Sequence, residues 1–145
     1  MLTLEEASET VLSSARQLDS ERVNMAAAVG RVLAEDVISD IDVPQFDRSA
    51  MDGYACRRTD LANELSVIET IRAGCAPRET VGPNQCSKIM TGAMVPQGAD
   101  CVLMVEQTEM QTATTLRFTG SQTKDNIRPR GEDIRAGEIV LRRGA

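Results

Sequence analysis

Asp47, Ser49 and Asp52 fall within six residues of one another in PQFDRSAMDGYA, residues 44–55, and Gly53 follows directly. Carboxylates spaced this closely on a loop can ligate Mg²⁺ or orient a water through their oxygens. Gly53 lets the backbone turn tightly or come close to a ligand. The same residues can equally form a capped turn with solvated charges, because Asp and Ser side chains satisfy nearby backbone groups. A second stretch, KIMTGAMVPQGAD at 88–100, reads as a strand running into Thr91 and Gly92. A hydroxyl and exposed amides at a strand end suit a phosphate or another oxyanion, although Pro96 and Gly98 also fit an ordinary turn. The third is NIRPRGEDIRAG at 126–137, with Arg128 and Arg130 on either side of Pro129. Two guanidinium forks there can hold an anion, or pair with Glu132, Asp133 or a partner chain.

Composition removes several other chemistries. The chain has no histidine, so Ser-His-Asp and Cys-His catalysis are absent, as is a Cys/His zinc site. Its four cysteines, Cys56, Cys75, Cys86 and Cys101, form no CxxC pair and read as reduced thiols packed as small hydrophobes in strands. Net charge is −6, and two Phe and one Tyr are the only aromatics, a poor match to a nucleic-acid surface. No apolar run is long enough to cross a membrane, and the acidic start MLTLEEASET lacks the character of a signal peptide. The cytoplasm is the expected compartment.

The elements that must position these residues are mostly strands. A helix is expected over 3–18, opened by a Thr3/Glu6 capping box and carrying an apolar stripe of Leu4, Ala7, Val11, Leu12, Ala15 and Leu18. That stripe packs either into the core of this chain or onto a domain outside it. Asn24 caps a helical turn over 25–29, ended by Gly30. Strands are expected at 32–38, 54–57, 66–73, 87–90, 99–106, 114–119 and 138–141, with a short helix at 58–64. Gly74, Pro77, Gly82-Pro83, Pro96, Gly98 and Gly120 punctuate them. No GxGxxG or P-loop is present, and the pattern is that of a mainly β body with an N-terminal helix.

In this order, DVPQFDRSAMDGYA (42–55), IMTGAMVPQGADCVLMVEQT (89–108) and NIRPRGEDIRAGEIV (126–140) resemble the N-terminal region of the MoeA and gephyrin E-domain family, the molybdopterin molybdenumtransferases. VGRVLAEDV (29–37) and the leading helix fit as well. The resemblance implies bifurcated, coiled β-sheets and a function in molybdenum cofactor biosynthesis. Family members transfer molybdate to adenylylated molybdopterin in a Mg²⁺-assisted step and act as homodimers. Each β region faces the pterin-binding domain of the other subunit. By this resemblance Asp52 and Thr91 are the catalytic candidates. Ser49, Met51, Gly92, Glu106 and Arg130 are the substrate-binding candidates, with Ser49 and Met51 shaping the loop. No metal ligand is assigned, because Mg²⁺ and molybdate are not expected to be held by this chain alone.

The resemblance divides the chain into an N-terminal helix and stalk at 1–43, a β-rich cleft wall at 44–125 and a return segment at 126–145. The pterin-binding α/β domain and the C-terminal β-barrel of the family have no counterpart in the sequence. The chain is therefore expected to supply one wall of an inter-subunit site and to be inactive alone. The alternatives are a non-catalytic scaffold module of the gephyrin type and a small anion-binding β domain.

Overall fold

A computed structural model describes residues 2–16 and 18–145. The chain divides into two compact units. One runs through Asp36 and takes up Leu141–Ala145, and the other is Val37–Val140.

In the first unit, α1 spans Leu4–Ser14, and Thr3 and Glu6 close the expected capping box: Thr3 Oγ1 accepts from the Glu6 N–H and Glu6 from that of Thr3. The helix stops at Ser14, four residues short of expectation, because Ala15 is already extended. Of the remainder, Gln17 lies outside the described residues. The apolar stripe is uncovered, with Leu4 79%, Val11 69% and Leu12 74% exposed. In the chain itself Leu12→Lys is therefore expected to shift unfolding stability by no more than about 0.5 kcal/mol, since nothing is unpacked and helix propensity hardly changes. Denaturant titration checks this. Asn24 caps a 3₁₀ turn at Met25–Ala27, and Gly30 follows with φ +78°. The expected strand at 32–38 shrinks to β1, Val37–Ile38. The chain bends at Ala34 and Glu35, and the Asp36 carboxylate accepts from the Arg143 N–H where a ladder would otherwise run.

The second unit is built on one mixed sheet of order β6-β3-β5-β4-β8-β7. Its strands are β3 (Gly53–Cys56), β4 (Glu64–Ile71), β5 (Gln85–Ile89), β6 (Cys101–Met104), β7 (Thr108–Met110) and β8 (Thr115–Phe118). All neighbours are antiparallel except β4 and β5. Two short ladders complete it: β2 (Arg48–Ser49) with β9 (Ile127–Arg128), and β1 with β10 (Ile139–Leu141). The expected helix at 58–64 is a single 3₁₀ turn, Arg58–Asp60, because Glu64 already belongs to β4. Likewise the strand expected through Glu106 ends at Met104, and Val105–Gln107 is a 3₁₀ turn.

Side-chain alternation along the strands gives the sheet two apolar faces. Tyr54, Cys56, Leu65, Leu103 and Leu116 pack on one, and Ala55, Ile71, Ile89 and Val102 on the other. Full burial of each large aliphatic side chain stabilises the fold by about 1.5–3 kcal/mol. Three cysteines sit side by side in this core, since Cys101 and Cys86 flank Cys56 in register. Burial pushes the Cys86 thiol up to about 12. The hydrogen bond with Cys101, 3.7 Å away, and burial raise Cys56 as well. The Cys56 and Cys86 thiols stay protonated at neutral pH, while the bond with Cys56 lowers Cys101. Cys75 departs from expectation: it is exposed and lies in the loop after β4.

Gly53 also has a different reason from the one its sequence context suggests. A Cβ built on it would stand 1.8 Å from the carbonyl oxygen of Leu103 in β6. The residue is glycine because a neighbouring strand, not a ligand, passes that close.

Candidate functional site

Strand directions decide which loops meet. β3 is antiparallel to β5 and β6, and β4 is parallel to β5, so the start of β3 and the ends of β4, β5 and β6 share one edge of the sheet. That edge gathers Asp52, Thr91 with Gly92, and the 3₁₀ turn holding Glu106.

Asp52 and Thr91 touch directly. Asp52 Oδ1 accepts from the Thr91 backbone N–H at 2.7 Å and from the Thr91 hydroxyl at 2.7 Å. Those two bonds, the backbone one first, hold the Asp52 carboxyl below its ordinary value despite slight desolvation. Charge-assisted bonds of this kind favour the ionised form. Both donors of Thr91 are thereby engaged. The group left for a ligand is Asp52 Oδ2, which receives no hydrogen bond among the described residues.

Ser49 staples the two loops together. Its N–H donates to the Ala93 carbonyl at 2.9 Å, and its own carbonyl accepts from the Gly92 N–H at 2.8 Å. Its hydroxyl donates to the Met51 carbonyl at 2.6 Å, and the side chain is buried. Gly92 has φ +80° with open space where a Cβ would lie, so its glycine serves the turn. Met51 is 40% exposed beside Asp52. Glu106 is exposed, and the residue before it, Val105, donates its N–H to the Asp52 carbonyl.

Arg130 lies elsewhere, against the start of the same loop. Its Nε donates to Asp42 Oδ2 at 2.5 Å and its N–H to Asp47 Oδ1 at 2.7 Å. Asp42 also accepts from the Ala136 N–H at 2.8 Å. The Ala136 bond, then Arg130, hold its carboxyl below its ordinary value. Asp47 and Asp52 thus serve different partners and do not converge as the carboxylate cluster suggested by their spacing. Among the described residues, no group of three or more acidic or cysteine side chains is arranged to hold a metal ion. The arginines beside Pro129 are both ion-paired, Arg128 with Glu132 at 3.5 Å and Arg130 with Asp42, while the neighbouring Asp133 meets Arg48 at 3.6 Å. Asp42 was missed at the sequence level, since its partners lie about ninety residues away along the chain. So was Asn126, whose φ of +53° is one that Asn tolerates. Its carbonyl accepts from the Ala50 N–H, and its side chain donates to the Val102 carbonyl.

Residues 2–145 match the family model described as MoeA N-terminal region (domain I and II). The chain belongs to the MoeA N-terminal region family. A molybdopterin molybdenumtransferase of Haemophilus influenzae is 42% identical over 149 residues, covering 100% of this chain and 37% of the relative. One from Staphylococcus epidermidis is 36% identical over 151 residues, covering 99% of this chain and 36% of its own length. The crystal structure of the molybdopterin biosynthesis moeA protein from Pyrococcus horikoshii OT3 superposes with a TM-score of 0.86 at 37% identity, over 96% of this chain and 39% of that one. The chain thus spans little more than a third of the curated relatives it matches. Mainly β with one N-terminal helix, it has the fold expected of a MoeA N-terminal region. No helix among the described residues is long and apolar enough to cross a membrane.

Proposed function

We propose that this chain is the part of a molybdopterin molybdenumtransferase that supplies one wall of the site where molybdate is transferred to adenylylated molybdopterin. The observation that carries the reading is the Asp52–Thr91 pair, an ionised carboxylate with one free oxygen on an exposed sheet edge. The family membership and the names of the relatives give that pair its substrate class.

Asp52 offers Oδ2 to a cation or a hydrogen-bond donor, while Thr91 fixes the carboxylate's direction and favours its ionised form. Ser49 holds the two loops in register. Mg²⁺ fits this arrangement through one ligand only, Asp52 Oδ2, because Mg²⁺ keeps several waters and uses one or two carboxylates beside substrate oxygens. When bound, the ion supplies charge neutralisation at the phosphate groups of the substrate. The remaining elements of the proposal are a homodimer in which the facing subunit brings the pterin, a cytoplasmic setting, and substrate contacts from Glu106 and Arg130. Arg128 and Arg130 both carry carboxylate partners, which leaves little support for a free-standing anion site at that pair.

An insertion assay tests the proposal. Given adenylylated molybdopterin, molybdate and Mg²⁺, the chain by itself is expected to release no molybdenum cofactor, whereas a complete protein containing it does. Turnover by the isolated chain at the rate of the complete enzyme overturns the shared-site reading. Inactivity of the complete protein overturns the transferase reading.

A further inference from the structure

We propose that the loop after β4 forms a separate binding site for a phosphate group, held by Arg72 and Arg78. A cavity of about 330 Å³ opens there, lined by Glu69, Thr70, Arg72, Cys75 and Arg78 among others. It lies at the same sheet edge as Thr91, since the Met90 N–H donates to the carbonyl of Ile71, the last residue of β4. It is not part of the Asp52 loop, and it does not depend on the transferase reading.

Four arginines of the unit, Arg72, Arg78, Arg117 and Arg135, form no ion pair among the described residues, and of these Arg72 and Arg78 line one cavity together. Arg48, Arg57, Arg58, Arg128 and Arg130 each pair with a carboxylate. Arg72 and Arg78 form no ion pair and no side-chain hydrogen bond among the described residues, yet both face one cavity. The acidic group lining the cavity, Glu69, is turned to backbone amides and not to either guanidinium: Oε2 accepts from the Arg78 N–H at 3.2 Å and Oε1 from the Glu79 N–H at 3.3 Å. Those bonds fold the loop back on β4 and fix its curvature while leaving both guanidinium forks free. Two forks and the Thr70 hydroxyl match a tetrahedral oxyanion, and a phosphate is large and charged enough to engage both arginines together. The cavity has room beyond a bare phosphate, so a phosphomonoester fits as well.

Cys75 provides the readout, being the exposed cysteine at this cavity while Cys56, Cys86 and Cys101 are buried. The full chain would be titrated calorimetrically with inorganic phosphate and with glycerol phosphate, against sodium chloride of equal ionic strength. Alkylation of Cys75 by iodoacetamide would be followed by intact mass under the same conditions. Saturable binding in the millimolar range is expected, with Cys75 alkylation slowed several-fold at saturation. Arg72→Gln and Arg78→Gln should each weaken binding about tenfold or more, as expected for loss of a charge-assisted contact, whereas Arg117→Gln should not. Tighter binding of glycerol phosphate assigns the site to an ester, and tighter inorganic phosphate assigns it to the free anion. No saturable binding, binding that survives in both arginine variants, or unprotected Cys75 at saturation overturns the proposal. Either exposed arginine can be changed without touching the core, so loss of binding is not loss of fold.

Discussion

Gly53→Ala is expected to cost about 3–5 kcal/mol of unfolding stability, a large share of what a domain of this size has to lose. The added methyl would lie 1.8 Å from the Leu103 oxygen, 2.8 Å from the Leu103 carbonyl carbon and 3.2 Å from Val102 Cγ1. Two of those atoms are backbone, so no rotamer change relieves the clash. Relief requires β3 and β6 to part, and their ladder pairs Tyr54 with Leu103 and Ala55 with Val102, all buried. Gly92→Ala is the control. Gly92 has φ +80° and open space around the missing Cβ, so the substitution carries only the left-handed backbone penalty of about 1–2 kcal/mol. Urea titration of the two variants separates close approach from backbone conformation as the reason for glycine. Equal midpoints in the two would remove the argument for Gly53.

The contrast between these glycines shows what a sequence carries and what it does not. Local signals were legible. Thr3 and Glu6 mark the start of α1 three residues apart, and Asn24 with Gly30 brackets a short turn. Apolar alternation around Tyr54, Leu103 and Leu116 places strands to within two or three residues. β2, β7 and β9 were not legible, because strands of two or three residues hold through partners distant in sequence and carry no period of their own. Asp47 and Asp52 show the same limit at the site. Their spacing suggests one cluster, but the chain turns between them. Asp47 serves the Arg130 amide and Asp52 serves Thr91. That Thr91 and Asp52 both matter could be read from the family resemblance. That the two touch, with both donors of Thr91 spent on one oxygen, follows only from β3 and β5 lying side by side in antiparallel register.

That contact gives the last expectation its shape. In a complete protein carrying this chain, Asp52→Asn should lower molybdenum insertion by about a hundredfold or more, the scale on which loss of a charged group at a reacting centre is felt. Stability should hardly change, because Asp52 is exposed and an Asn oxygen can still accept from the Thr91 N–H. Thr91→Val keeps that N–H and removes the hydroxyl, so the Asp52 carboxyl should titrate at a higher pH than in the parent. The sign follows from the direction of the shift. Both bonds lower the folded-state value, so the ionised form and its bonds persist as pH falls below the ordinary carboxylate value and are lost through the lowered one. Removing one bond moves that loss upward, and the acid limb of the insertion rate should move with it. Thr91→Ser should restore both the titration and the limb. Carboxyl carbon NMR of Asp52, beside the pH dependence of insertion, measures the two quantities separately. If Thr91→Val slows insertion without moving either one, Thr91 acts on the substrate directly and not through Asp52. If Asp52→Asn instead unfolds the chain, the carboxylate belongs to the turn, and the wall of the site must be sought at Glu106.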